Sequence, residues 1–187
     1  MSTGQAILAA MTLRIRPTTL NDIAALPAIE RALQKAAGRN LTDTDRARLA
    51  VLAFLHDIGK ANAGFQCRYW SDVKQRPPGW HRPPCGHGPQ GWGLFEDYQS
   101  GQHWPRRVIA NLPLDAIGTW GDACLNLLHA SISHHGRPVK SEGHSNQWEP
   151  VQHAGQVLYD PAHAVATMGA EIQAQYPQAF IQDAPEL

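Results

Sequence analysis

The sequence lacks paired cysteines and long apolar runs. Its three cysteines, Cys67, Cys85 and Cys124, are far apart and form no CxxC pair, which excludes a disulfide framework and a zinc ribbon. No apolar run approaches the length needed to cross a bilayer, and residues 1–11 lack the basic start of a secretory signal. We therefore expect a cytoplasmic protein with no membrane partner.

Net charge is also absent, because 16 Lys and Arg residues balance 16 Asp and Glu residues. This balance argues against a uniformly basic nucleic-acid coat protein. The charge is unevenly distributed, however: residues 60–140 carry 9 basic and 5 acidic side chains, whereas residues 141–187 carry 6 acidic side chains and no Lys or Arg. A basic middle is suited to phosphate groups, although a solvated surface with an acidic end explains the same pattern.

The chain contains helical patterns with recognisable ends and almost no strand pattern. A first helix is expected over residues 20–37, and a second begins at the capping box of residues 42–45 and runs through Leu55. The second half of that helix is apolar on every side, which indicates a buried, central position. Further helices are expected from Pro89 onward, over 105–112, over 122–133, and from the Asp160-Pro161 cap to about Tyr176. We predict an all-α fold in one domain, residues 1–187, with residues 1–15 and 177–187 peripheral.

Several of the 10 histidines are spaced as metal ligands would be. The candidate ligands are His56, Asp57, His87, His134 and His135. Imidazole nitrogens with a carboxylate oxygen suit divalent first-row ions such as Mn²⁺, Co²⁺, Ni²⁺ or Fe²⁺, with Mg²⁺ less favoured. Asp57 is well placed to bridge two ions, and two ions about 3.5–4 Å apart can assist an in-line phosphodiester displacement. The sequence therefore predicts one or two divalent ions, with Asp57 as a catalytic residue.

Lys60 is the second candidate catalytic residue, and other interpretations of these positions remain open. If the helix continues past His56, Lys60 lies on the same face and can stabilise charge developing on a phosphate. It can equally be a solvated cation at a helix end. His81 is an alternative to His87, and a structural zinc site can be drawn through Cys67, His81, Cys85 and His87, although that spacing fits no standard pattern.

The loop of residues 66–88 is rich in Pro, Trp and Arg and is long for a compact domain, which is typical of functional loops. Cations and aromatic rings are interleaved in it, which is the pattern of single-strand binding grooves: Arg68, Tyr69, Trp70, Arg76, Trp80 and Arg82. We predict nucleic-acid contacts by four cations: Arg76, Arg82, Arg137 and Lys140. Alternatively, the tryptophans anchor the loop onto the helical core.

The string from His56 to Gln66, HDIGKANAGFQ, resembles the HD nuclease domain of the type I CRISPR helicase-nuclease. In that family, Gly-Lys follows the His-Asp pair and Phe-Gln comes a few residues later. The segment His134-His135-Gly136-Arg137-Pro138 resembles the family's HH-G-x-P segment, and Cys85-Gly86-His87 resembles its intervening histidine at a helix start. The resemblance covers about residues 20–170.

This resemblance implies an HD-domain helical bundle that binds one or two divalent ions and cleaves single-stranded DNA in antiviral defence. It implies two partners, a helicase domain or subunit and an RNA-guided surveillance complex that exposes the DNA. The sequence has no GxxxxGK[ST] loop, so any helicase is a separate protein or lies beyond Leu187. In the second case the chain would be an N-terminal fragment of a longer helicase-nuclease.

Two positions depart from the family pattern. Thr19 stands where the family usually has a metal-binding histidine, and the family's late Ser-x-Ala-Asp sequence is missing. Asp160 looks like a helix cap, and Asp183 lies in a proline-flanked tail. These departures motivate one alternative function, a non-catalytic HD module retained for docking. A second alternative is an HD phosphohydrolase acting on a nucleotide, for which the loop of residues 66–88 would supply base stacking and phosphate contacts.

Overall fold

The computed structural model describes residues 27–70, 72–100, 103–133, 137–140 and 145–187. This part of the chain forms eight α-helices, several short 3₁₀ segments and one small antiparallel sheet, which confirms the predicted all-α class. The α-helices are α1 Pro27–Ala37, α2 Asp43–Leu55, α3 Ala63–Gln66, α4 Gly88–Ser100, α5 His103–Ile109, α6 Leu114–Gly118, α7 Cys124–Ile132 and α8 Pro161–Gln175. The strands are β1 Val151–His153 and β2 Gln156–Tyr159. None of the helices in the described ranges is long and apolar enough to cross a membrane.

Helix α2 begins at the predicted capping box. The Thr42 side chain accepts a hydrogen bond from the Asp45 backbone N–H (3.1 Å), and the Asp45 carboxylate accepts one from the Thr42 N–H (2.7 Å). These two bonds satisfy donors that would otherwise be unpaired at the helix start. Val51 and Leu55 are fully buried, so the prediction of a central helix is confirmed.

The C-terminal segment packs closer to the core than its predicted peripheral position. Ala179 is fully buried, in a 3₁₀ segment that packs against α2. The buried Arg48 side chain donates from Nε to the Ala179 carbonyl (3.2 Å) and from Nη1 to the Pro185 carbonyl (2.6 Å). Ala179 belongs to the main hydrophobic core cluster, and Phe180 and Leu187 pack against it.

The hairpin of β1 and β2 lies between two predicted helices, in a segment where the sequence shows no strand pattern. Its two-residue turn places Ala154 and Gly155 at φ values of 49° and 77°, the left-handed region that such a turn requires. The usual Asn-Gly signal for this turn is absent from the sequence. The strands contain three and four residues, too few to show an alternating pattern.

A second, smaller core cluster joins the hairpin to the loop of residues 66–88. The ring of Trp80 lies 4.8 Å from that of Trp70 and 5.5 Å from that of Tyr159, measured between centroids. The Tyr159 hydroxyl donates to the Ala61 carbonyl (2.7 Å), and the Trp80 indole N–H donates to the Ala63 carbonyl (3.2 Å). Trp80 is therefore an anchor that fixes the loop beside α3.

Asp45 generates a prediction for acid stability. The Arg39 guanidinium, followed by the Thr42 donors, lowers the pKa of the buried Asp45 carboxyl to about 2. A depressed folded-state pKa stabilises the fold above about pH 4, and this stabilisation is lost as the pH falls towards 2. Asp45→Asn should lower the free energy of unfolding by about 2 kcal/mol at pH 7, and the difference from wild type should shrink below about pH 3.

Urea unfolding between pH 2 and 7 measures this effect. The control is Asp43→Asn, two residues away, whose side chain is 93% exposed and should have little effect. Equal effects of the two substitutions at pH 7 would contradict the assignment.

Candidate metal centre

The His56-Asp57 pair lies where α2 ends. His56 is the C-terminal cap of the helix, and a 3₁₀ segment, Ile58–Ala61, begins immediately after Asp57. The helix therefore ends at Leu55, as predicted, and the condition under which His56 and Lys60 would share a helix face is not met. The turn instead folds Lys60 back, so that its Nζ donates to Oδ2 of Asp57 at 2.7 Å.

The Asp57 carboxylate is at the centre of the site and is 4% exposed. Its Oδ1 lies 3.2 Å from Nε2 of His56 and 3.7 Å from Nε2 of His87. Oδ1 is buried and accepts no hydrogen bond from the residues that the structure describes. Two imidazole nitrogens therefore face one buried carboxylate oxygen.

The tautomer of His56 is fixed by its other ring nitrogen. Nδ1 is in hydrogen-bond contact with the Ala53 backbone carbonyl, which can only accept. In the neutral ring, the proton is therefore on Nδ1, and the lone pair of Nε2 is directed to the side of the ring where Asp57 lies. A histidine held in this way is typical of a metal ligand whose second nitrogen is bonded to the backbone.

Two imidazole nitrogens are spaced from Oδ1 of Asp57 as ligands of one divalent cation would be. Ligand atoms bound to one ion at about 2.0–2.2 Å are roughly 3.0–3.7 Å from each other, which matches both separations from Oδ1 of Asp57. A cation in this position would compensate a buried oxygen that accepts no hydrogen bond from the described residues. Within those residues, however, no group of three or more metal-binding side chains forms a finished site. The predicted ligands His134 and His135 lie outside the described residues.

The absence of a side chain at Gly59 allows the backbone at His87 to lie close to the segment after Asp57. A Cβ atom at residue 59 would lie 1.7 Å from the carbonyl oxygen of His87, and one at Gly91 would lie 3.1 Å from the Gly59 nitrogen. The 3₁₀ segment after Asp57 and the start of α4 are therefore in direct backbone contact. Glycine is required at residue 59 because no other side chain fits between the two segments.

Asn62 holds the segment after Asp57 against the segment before α4. Nothing in its sequence context marked it as a site residue. It is fully buried, and its Nδ2 donates to the carbonyls of Gly59 (2.5 Å) and Gly86 (3.4 Å). Its Oδ1 accepts from the Phe65 backbone N–H (2.6 Å) and caps α3. The sequence did contain one signal, a single amide side chain between two alanines. If such a group is buried, it must form hydrogen bonds with its neighbours.

Phe65 and Gln66 also have defined contacts in the structure. The Phe65 ring packs edge-on against His87, with centroids 5.5 Å apart and planes at 81°. The Gln66 amide donates to the Lys60 carbonyl at 2.5 Å. Both side chains therefore support groups that surround Asp57.

The described residues on either side of the His134-His135 doublet lie beside His87. A Cβ atom at Gly88 would be 3.9 Å from the Ile132 carbonyl oxygen and 3.7 Å from the Val139 side chain. The backbone N–H of Val139 also donates to the Ser133 hydroxyl (3.0 Å), which joins the chain after the doublet to the end of α7. These contacts agree with the hypothesis that the doublet completes the site, which stays a prediction.

The structure also bears on the two alternative ligand sets, the one with His81 in place of His87 and the zinc site. His81 is exposed, whereas His87 lies next to Asp57. The zinc alternative is wrong, because the Cys67 thiol donates to the Arg82 carbonyl (3.0 Å) and the Cys85 thiol to Asn62 Oδ1 (3.0 Å). Burial also raises the pKa of the Cys67 thiol, which disfavours the thiolate that zinc requires.

Neither late aspartate occupies a ligand position. Asp160 caps α8 by accepting from the Ala162 backbone N–H (2.9 Å), as its sequence context predicted. Asp183 is exposed, at a φ of 61°. Thr19 lies outside the described residues.

The four cations predicted to contact nucleic acid differ in their surroundings. Arg82 forms a salt bridge with Glu149 (2.9 Å), and Nε of Arg76 is buried. Arg137 and Lys140, which flank the undescribed doublet, are exposed. The second pair is therefore better placed to meet a ligand than the first.

Comparison with known proteins identifies the family. A family model described as Cas3, HD domain matches residues 18–186. No curated protein and no solved structure matches the chain.

Gly59 generates a prediction about the site. Gly59→Ala should lower the free energy of unfolding by about 3 kcal/mol, because the added methyl group must displace the His87 backbone. Gly118→Ala is the matched control, since a Cβ atom there has no neighbour within 4 Å. Thermal unfolding of the three proteins measures the difference, and equal stability of the two variants would show that the backbone contact is absent.

Proposed function

The chain belongs to the Cas3 HD-domain family, and we propose that it cleaves single-stranded DNA with divalent metal ions during CRISPR interference. The family consists of CRISPR-associated, metal-dependent HD hydrolases with a helicase partner and a DNA substrate. For this chain, we propose a helicase domain or subunit as the partner. An RNA-guided surveillance complex would supply the exposed strand.

The buried carboxylate of Asp57, approached by two imidazole nitrogens, carries this proposal. A nucleotide phosphohydrolase also needs a pocket for the base, whereas a nuclease needs only a phosphodiester bond next to the metal site. His56, Asp57 and His87 would hold the first ion, and His134 and His135 would complete a site for one or two ions. When bound, these ions supply activation of a water molecule and neutralisation of charge on the phosphodiester.

Lys60 has two roles in this proposal. Its Nζ donates to Oδ2 of Asp57, which orients the carboxylate so that Oδ1 faces the imidazoles. The ammonium group has three donors and the side chain is 33% exposed, so the remaining donors are available to a phosphate oxygen. The lysine would therefore orient the carboxylate and stabilise negative charge that develops during cleavage.

The two alternative functions are less well supported. A nucleotide phosphohydrolase was expected to use the loop of residues 66–88 for base stacking, but Trp80 is buried and Arg82 is bound to Glu149. A non-catalytic docking module needs no cation, whereas the buried Asp57 oxygen favours one. Neither alternative therefore displaces the nuclease proposal.

The direct test is cleavage of labelled single-stranded DNA with Mn²⁺, Co²⁺, Ni²⁺ or Mg²⁺. Asp57→Ala should reduce the rate by more than about 100-fold, because even indirect supports of metal ligands typically contribute 10–100-fold. Asp115→Asn, an exposed aspartate in α6, should retain wild-type activity. Equal cleavage by wild type and Asp57→Ala would reject the proposal, and release of phosphate from nucleotides without DNA cleavage would favour the phosphohydrolase.

A further inference from the structure

The segment directly after the candidate metal centre presents one exposed helical face. Helix α3 continues into a 3₁₀ turn, Cys67–Tyr69, so that Phe65, Arg68 and Tyr69 are spaced i, i+3 and i+4. Cys67 points inward and is fully buried, with its thiol bonded to the Arg82 carbonyl. Because Cys67 is held in the interior, Arg68 and Tyr69 are directed towards the solvent.

The Arg68 guanidinium stacks on the Phe65 ring, which also contacts His87. Its guanidinium carbon lies 5.4 Å from the Phe65 ring centroid, and the same ring packs edge-on against His87. One aromatic ring therefore separates an exposed cation from a candidate metal ligand. Stacking on Phe65 also orients the guanidinium without using its hydrogen-bond donors.

Arg68 differs from those arginines in the described part of the chain whose donors are already bonded within the protein. Arg39 and Arg46 form salt bridges with carboxylates, and the donors of Arg48 are taken by backbone carbonyls. Arg68 is exposed and forms no salt bridge with any described carboxylate. Its charge is therefore available to an anion beside the site.

Tyr69 adds an aromatic surface to this cation. Its side chain is 60% exposed, and its ring packs at 86° against Trp70, with centroids 5.5 Å apart. Trp70 packs in turn against the buried Trp80, so the exposed ring rests on a rigid support. An oriented aromatic ring beside a cation is the arrangement that holds single strands through a base and a phosphate.

We propose that Phe65, Arg68 and Tyr69 form a single-strand docking surface that guides DNA to the metal centre. Arg68 binds a backbone phosphate, Tyr69 stacks on a base, and Phe65 orients the guanidinium. This surface takes the place of Arg76 and Arg82 in the predicted path and rests on the proposed nuclease function. It delivers the strand from the side of His87.

Fluorescence anisotropy of a labelled single-stranded oligodeoxynucleotide, in EDTA so that no cleavage occurs, tests this surface. Arg68→Ala should weaken binding about tenfold at low salt. It should also reduce the slope of log affinity against log salt by about 0.7, the value for one phosphate contact. Arg68→Lys should retain most of that slope because it keeps the charge.

Two further variants separate stacking from charge. Tyr69→Ala should weaken binding about fivefold with the salt slope unchanged, because a base stack releases no counterions, whereas Tyr69→Phe should bind like wild type. Arg107→Ala is the matched control, since Arg107 stacks on Trp104 at 5.2 Å in the same manner but on α5. That substitution should leave both affinity and slope unchanged.

The outcomes separate this inference from the nuclease proposal. Cleavage by wild type, together with equal binding by Arg68→Ala and Arg107→Ala, would overturn the docking surface alone. Binding that depends on Arg68 without cleavage under any metal would support the surface and reject the nuclease. No binding of the oligonucleotide by wild type would overturn the surface.

Discussion

Any side chain larger than hydrogen at residue 59 would overlap the His87 carbonyl, and this backbone contact sets the geometry of the site. Asp57 arrives from the end of α2 and His87 from the start of α4, so neither helix alone can build the centre. Asn62 ties the same two segments by donating to Gly59 and Gly86. Because one contact positions two candidate ligands, small backbone shifts here are expected to matter more than changes at the surface.

Asp57 also imposes an electrostatic requirement. A buried carboxylate loses its hydration and must be compensated by hydrogen bonds or positive charge. Lys60 compensates Oδ2, whereas Oδ1 faces the nitrogens of His56 and His87. Since the backbone carbonyl of Ala53 accepts the hydrogen bond from Nδ1 of His56, Nε2 is the nitrogen left to bind a cation, and a cation there would also compensate the buried Asp57 oxygen.

The sequence predicted the features that arise from local pattern. The capping box before α2, the place of His56-Asp57 at its end and the Asp160 cap of α8 all follow from residue types at fixed spacing. The hairpin of β1 and β2 could not be predicted, because its turn lacks the usual residues and its strands are very short.

Features that depend on tertiary contacts could not be predicted from the sequence either. Gly59 and Asn62 are small residues in a motif, and only their contacts with residues 86–91 show why they are needed. The sequence could not separate Arg82 from Arg68, because it cannot show that Glu149, 67 positions from Arg82, neutralises one and not the other. Spatial proximity therefore decides which of several similar cations is available.

The central claim is that His87 and Asp57 share a divalent ion, and calorimetric titration with Mn²⁺ tests it most directly. His81, six positions before His87 and exposed, provides the matched control. We predict that His87→Ala weakens Mn²⁺ binding by at least about 10–100-fold, while His81→Ala binds like wild type. Equal affinity of the two variants, or no binding by the wild-type chain, would contradict the account.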